Sequence, residues 1–201
     1  YTDTGFVGRQ DLIRDVLEEL DLNTPIITIF GEGGLGKTAL VRKIVEKIEE
    51  KNDDLENLYE VIWWHSSKQE ELTYDGLKSI DSDKLEELPK EIQAESGYSL
   101  EVLKEDITKN NAKILFILDN LETDLAKDRN KTIDFVTKLR KFGQIIITSR
   151  TRLGKLEQCF RIEPFSLGDT KTFLRNIAKK TNNSQLLKAG DDLLEKWGKE
   201  L

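Results

Sequence analysis

Methionine is missing altogether from this chain of 201 residues, and cysteine and histidine occur once each. A lone Cys159 can close no disulfide and build no zinc framework within the chain. A reducing, cytoplasmic setting is therefore expected, with Cys159 a small core residue in the alternating stretch Cys159-Phe160-Arg161-Ile162. A single His65 excludes a histidine-based triad or metal cluster, and beside Trp63 and Trp64 it reads as a packing residue. Trp197 reads as a core or lid contact. No apolar run approaches the roughly 18 residues that a membrane span needs. The opening Tyr1-Thr2-Asp3-Thr4-Gly5 has no basic and apolar leader, and position 1 is not methionine. A segment of a longer polypeptide is expected, with any targeting signal outside it. Positive charge is in deficit, since 31 Lys and Arg face 38 Asp and Glu, for a net charge of −7. That balance argues against a broad nucleic-acid surface but permits a local basic strip. Internal repeats and low-complexity tracts are absent too.

What is present begins with Gly31-Glu32-Gly33-Gly34-Leu35-Gly36-Lys37-Thr38, which fills every fixed position of G-x-x-x-x-G-K-[ST]. Pro25-Ile26-Ile27-Thr28-Ile29-Phe30 before it reads as a buried strand. The segment from Ala39 to Ile48 after it sets Leu40, Ile44, Val45 and Ile48 on one helical face. Strand, glycine loop and helix in that order form a phosphate cradle. Glycines let the main chain curl so that N–H groups face an anion, and the helix N-terminus adds its dipole. Lys37 would reach the β- and γ-phosphates, and the Thr38 hydroxyl would hold Mg²⁺.

Around this motif, Leu12, Ile13, Val16, Leu17 and Leu20 give a helical period over Arg9–Leu20. Tyr59–His65 is a second strand, Lys113–Asp119 a third, Gln144–Ser149 a fourth, and Phe160–Glu163 a short fifth closed by Pro164. Ser66–Asn111 has no period-2 pattern and is expected to be helical in pieces, broken at Pro89 and Gly97. An amphipathic helix is expected at Thr132–Phe142, and two more at Asp169–Lys180 and Ser184–Glu200. Strands alternating with helices predict an α/β fold with a parallel sheet covered on both faces.

Further chemistry sits at strand ends. Phe116-Ile117-Leu118-Asp119 reads as a Walker B strand, with Asp119 facing the crevice beside the phosphate loop and holding Mg²⁺ through water. Asn120 cannot accept a proton from an attacking water, so Glu122 is the remaining candidate general base, or otherwise a solvated loop acid. Arg150 follows Thr148-Ser149. If its strand lies between the two Walker strands, Arg150 points at the γ-phosphate; if not, it is a surface arginine. Arg152 is the weaker candidate for that role.

Together these pieces resemble the STAND class of P-loop NTPases, especially the NB-ARC nucleotide switch of immune and cell-death regulators. Phe6-Val7-Gly8-Arg9 is similar to that family's N-terminal box, whose backbone and arginine contact adenine. The loop from Gly31 to Thr38 has its double glycine, and Leu115–Asn120 resembles its Walker B strand. Gly143–Arg150 resembles the strand that ends in its sensor arginine. Ile162-Glu163-Pro164-Phe165-Ser166-Leu167 is similar to the crossing into its helical lid. The strand Val61–Trp64 followed by Ser66-Ser67-Lys68 resembles bacterial members.

The resemblance implies a three-layer P-loop NTPase fold with a five-stranded, mainly parallel sheet flanked by helices. Residues 1–165 would form the nucleotide-binding domain and 166–201 the truncated start of a small helical lid. ATP or ADP would bind through Phe6, Val7, Arg9, Gly31, Gly33, Gly34, Leu35, Gly36, Lys37, Thr38, Ala39, Arg150 and Pro164. Mg²⁺ would sit at Thr38 and Asp119, with Lys37, Asp119, Glu122 and Arg150 as the catalytic set. Asp119-Asn120 stands where the family usually has two acids, which implies slow hydrolysis and switching. The full-length protein would self-associate and carry fused sensor and effector domains. Nucleic-acid and membrane partners are not expected for this segment. A remodelling ATPase of the related AAA+ class, a small-molecule kinase and a non-catalytic nucleotide-binding scaffold are the alternatives. No guanine-specific Asn-Lys-x-Asp motif is present, and adenine is implied by the resemblance alone.

Overall fold

Ile114–Asp119 and Gln144–Ser149 are runs in which every residue is buried, the pattern of strands covered on both faces rather than on one. They are β5 and β6 of a computed structural model that describes residues 7–52, 59, 61–67, 70–73, 76–79, 113–190, 193 and 196. The other strands of this sheet are β1 (Ile26–Phe30), β2 (Val61–Ser66) and β7 (Gln158–Arg161). Their order is β2-β5-β6-β1-β7, and every pairing is parallel. The register sets Ile29 opposite Thr148 and Leu118 opposite Ile147. β6 therefore lies between β1 and β5, which brings the carboxyl ends of three strands side by side. The expected mainly parallel sheet is found, with boundaries shifted by a residue or two at its edges.

Helices cover this sheet because their apolar stripes demand it. α1 (Gln10–Asp21) buries Ile13, Val16 and Leu20. α2 (Lys37–Asn52) buries Leu40, Val41, Ile44 and Ile48 and contacts β6. Val41 takes the fully buried place expected for Val45, which is half-buried. On the other face, Phe116, Leu118, Ile145 and Ile147 pack with Leu121, Leu125, Val136 and Leu139. Those last residues belong to α3 (Glu122–Lys127), the residue before it, and α4 (Arg129–Leu139). Each such aliphatic side chain contributes about 1.5–3 kcal/mol by leaving water. Trp63 joins this core, stacked on His65 at 5.7 Å and edge-on to Phe116 at 6.2 Å. Arg42 stands over Trp64 at 5.9 Å.

Three expectations need correction, and α3 is an addition to them, since its six residues are too few to show a helical period. The stretch after Ser66, expected as helical pieces, contains an antiparallel pair, β3 (Glu70–Thr73) and β4 (Gly76–Ser79), with Leu72 opposite Leu77. Residues 80–112 lie outside the described residues. The helix expected over Ser184–Glu200 is interrupted after α6 (Ser184–Lys188), where Ala189 turns extended at ψ 129° ahead of Gly190; the described residues 193 and 196 are helical again. Cys159 is half-buried on β7, an edge strand, rather than in the core. Trp197 lies outside the described residues.

By contacts the chain divides into two compact units, Ile13–Ile162 and Tyr1–Leu12 with Glu163–Leu201. The second contains α5 (Leu167–Lys180), started by a Ser166 side chain that accepts from the Asp169 amide at 3.1 Å. Among the described residues no helix is long and apolar enough to cross a membrane.

Candidate nucleotide site

β1 ends at Phe30, and the chain turns at once into a glycine loop whose conformation dictates its composition. Gly34 and Gly36 hold φ of +82° and +81°, the left-handed region that suits glycine. A Cβ at Gly31 would stand 2.6 Å from Ile162 Cγ2 and 2.8 Å from the Ile162 carbonyl oxygen, so only glycine fits there. A Cβ at Gly34 would meet nothing within 4 Å, which leaves main chain alone to line that part of the curl. The Gly31 amide donates to the Ser149 carbonyl at 3.2 Å, tying the loop to the end of β6. The Leu40 amide donates to Gly36 at 2.9 Å and closes the first turn of α2. Ala39 is exposed and Leu35 half-buried.

Lys37 is buried, and its ammonium donates to the Gly31 and Glu32 carbonyls at 2.8 and 2.7 Å. Thr38, one residue on, donates to Asp119 across 2.9 Å to Oδ1 and 3.1 Å to Oδ2. Asp119 is buried at the end of β5. Its Oδ1 also accepts from the Thr148 hydroxyl at 2.5 Å, and its Oδ2 from Asn120 Nδ2 at 3.0 Å and Ser66 Oγ at 3.4 Å. A hydroxyl and a carboxylate at this separation are hard oxygen donors that suit Mg²⁺, which commonly takes one or two protein ligands plus phosphate oxygens and water. Among the described residues no cluster of three or more His, Cys, Asp or Glu could hold a metal alone, and the Thr38–Asp119 pair needs none.

Asn120 holds φ +60°, which asparagine tolerates better than most residues. Its main-chain N–H donates to Thr148 Oγ1 at 2.9 Å, and the Leu121 main-chain N–H donates to the Thr148 carbonyl at 3.0 Å. Thr148 thus pins both the acid and the turn that follows it. The sequence reading passed over Thr148 and Ser66. Their signal was a hydroxyl at the end of an otherwise aliphatic strand, but its partner depended on which strand lay alongside.

Arg150 leaves the end of β6 and lies against the loop, since a Cβ at Gly33 would stand 3.2 Å from its Nη2. Its Nε is 3.3 Å from Glu122 Oε1. Glu122 opens α3 rather than lying in a loop. Arg152 is engaged elsewhere, donating to Cys159 Sγ at 3.1 Å and standing 5.8 Å over Phe30. Burial, aided by Glu157, pushes the Cys159 thiol pKa up, which disfavours the reactive thiolate.

Lys37, Thr38, Asp119, Glu122 and Arg150 therefore converge at the carboxyl ends of β1, β5 and β6, all within Ile13–Ile162. Val7, Arg9 and Pro164 belong to the other unit, and Phe6 lies outside the described residues. There Arg9 takes φ +71°, donates to the Glu163 carbonyl at 3.2 Å and lies 4.6 Å over the Phe165 ring. Burial lowers its pKa from the ordinary value, and Asp169 opposes that shift. Pro164 is exposed.

The family described as an ATPase domain predominantly from Archaea matches residues 6–144. A disease resistance protein of Arabidopsis thaliana, RPP13, is 30% identical over 209 residues, covering 94% of this chain and 24% of its own length. The chain thus spans about a quarter of that relative. Drosophila ORC bound to DNA is similar in fold at a TM-score of 0.64 and 12% identity, over 100% of this chain and 52% of that one. The Aeropyrum pernix ORC2 protein in its ADP form gives 0.61 and 17%, over 97% and 62%.

Proposed function

Since the chain belongs to that family of ATPase domains and is a P-loop NTPase of STAND/NB-ARC type, we propose that it is the ATP/ADP switch domain of a larger signalling protein. The observation that carries this reading is the meeting of Thr38 with Asp119 at 2.9 Å beneath a glycine curl that Arg150 also touches. The arrangement has the parts that a magnesium-bound triphosphate requires.

Each residue has a role in this reading. The main chain from Gly31 to Thr38 wraps the phosphates, and Lys37 leaves its loop carbonyls to bind the β- and γ-oxygens. Thr38 and Asp119 hold Mg²⁺, which when bound neutralises phosphate charge. Arg150 meets the γ-phosphate. Phe6, Val7 and Arg9 serve the adenine, and Pro164 completes the nucleotide-binding set. Residues 1–165 act as the nucleotide domain and 166–201 begin the lid. Glu122 is the carboxylate available to an attacking water, and with Asn120 in place of a second acid beside Asp119, turnover is slow. ADP keeps the larger protein closed, and exchange for ATP frees it to self-associate and bring fused effector domains together. The likeness to a plant disease resistance protein supports a defence role, and the lone cysteine supports a cytoplasmic setting. Rapid basal turnover in the full-length protein would instead favour an AAA+-type remodelling ATPase.

Calorimetry with Mg·ATP tests the core of this reading. Lys37→Ala should abolish binding while circular dichroism stays unchanged; a folded variant with unaltered affinity would remove the assignment.

A further inference from the structure

Arg150 faces two surfaces at once. A Cβ at Gly33 would lie 3.2 Å from its Nη2, so the guanidinium rests on the tip of the phosphate loop. On its other side, Nε stands 3.3 Å from Glu122 Oε1. The two partners differ in freedom, for the Glu122 side chain is 16% exposed and that of Arg150 54%. The carboxylate is the fixed post and the guanidinium the movable arm. Glu122 Oε2 is buried with no hydrogen-bond partner among the described residues. A buried carboxylate oxygen without a donor is costly, so the cation at Glu122 is held against a local deficit of donors.

A carboxylate and a terminal phosphate are rival anions for one guanidinium, since each offers the oxygen pair that a planar fork binds. We infer that Glu122 is a counter-anion latch for Arg150: it retains the arginine beside a diphosphate and yields it to a third phosphate. The inference rests on the reading of Arg150 as the γ-phosphate contact. Glu122 is then a positioning residue that sets the ATP-to-ADP preference, because a ligand shifts an equilibrium only through contacts that differ between states. The first turn of α3 is held by Asp124, which accepts a hydrogen bond from Ser67, the residue after β2.

The test is equilibrium binding of Mg·ATP and Mg·ADP to this chain and to Glu122→Gln, Arg150→Ala and the double variant. Removing the rival anion should tighten ATP about two- to fivefold, the range of an exposed ion pair, and leave ADP unchanged. In the Arg150→Ala background, Glu122→Gln should change neither affinity. Glu122→Asp, which withdraws the carboxylate by one methylene, should move ATP the same way and serves if the glutamine variant does not fold. If Arg150→Ala weakens ATP selectively but Glu122→Gln leaves ATP affinity unchanged or lowers it, the γ-phosphate reading stands and the latch is overturned. If Arg150→Ala weakens ATP and ADP equally, the reading beneath the latch fails, and the latch with it.

Discussion

Asp119 accepts hydrogen bonds from Thr38, Thr148, Asn120 and Ser66, side chains of four different segments. A carboxylate so surrounded is fixed in orientation before any ligand arrives, and much of that fixing falls to Thr148, which is fully buried. Thr148→Val keeps the shape but takes the Thr148 hydroxyl from Asp119 Oδ1 and from the Asn120 main-chain N–H. We expect a loss of about 2 kcal/mol in urea denaturation, together with a weaker magnesium dependence of ATP binding. A variant of unchanged stability would mean that water replaces the hydroxyl. Lys37, Thr38 and Asp119 were legible in the sequence because motif spacing and an apolar run ending in an acid are local patterns. Thr148 was not, because nothing near it in the chain says that Asp119 stands alongside.

Between elements, one buried amide does comparable work. Gln144 opens β6, donates from Nε2 to the Leu20 and Thr24 carbonyls at 3.0 and 3.1 Å, and accepts from the Tyr59 hydroxyl at 2.6 Å. It thereby joins the end of α1, the approach to β1 and the approach to β2. Burial, with Asp21 adding to it, pushes the Tyr59 phenol pKa well above its ordinary value. The native state therefore keeps a proton that the unfolded chain begins to lose near pH 10. Stability from this source is complete below about pH 10 and falls as pH rises beyond it. Tyr59→Phe should cost about 1 kcal/mol at neutral pH, and the gap to the parent protein should narrow above pH 10 in denaturation curves. A constant gap would show that the phenol is not held protonated. At this scale α2 was readable from its helical period, and β5 and β6 from unbroken apolar runs. α3 and the β3–β4 pair were too short to display a period, and helical reading of a polar segment concealed the latter.

For the molecule as a whole, a ligand that binds only the native state stabilises it by mass action. ATP with magnesium at about 100 times its dissociation constant should add about 2.7 kcal/mol, a rise of roughly 5–10 °C in the melting temperature. Lys37→Ala should lose that rise, and a shift that survives the substitution would point to binding elsewhere. What the sequence alone determined was the set of parts: buried strands, a curl that only glycine can make, a cation and a hydroxyl after it, and an acid at a strand end. These follow from periodicity and backbone sterics, which act over a few residues. Only the tertiary structure decided that β6 enters between β1 and β5, and with it that Thr148 meets Asp119 and Arg150 meets both Gly33 and Glu122. Which strands pair is settled by burying both faces of the sheet at once, a condition on the entire chain that no local pattern contains.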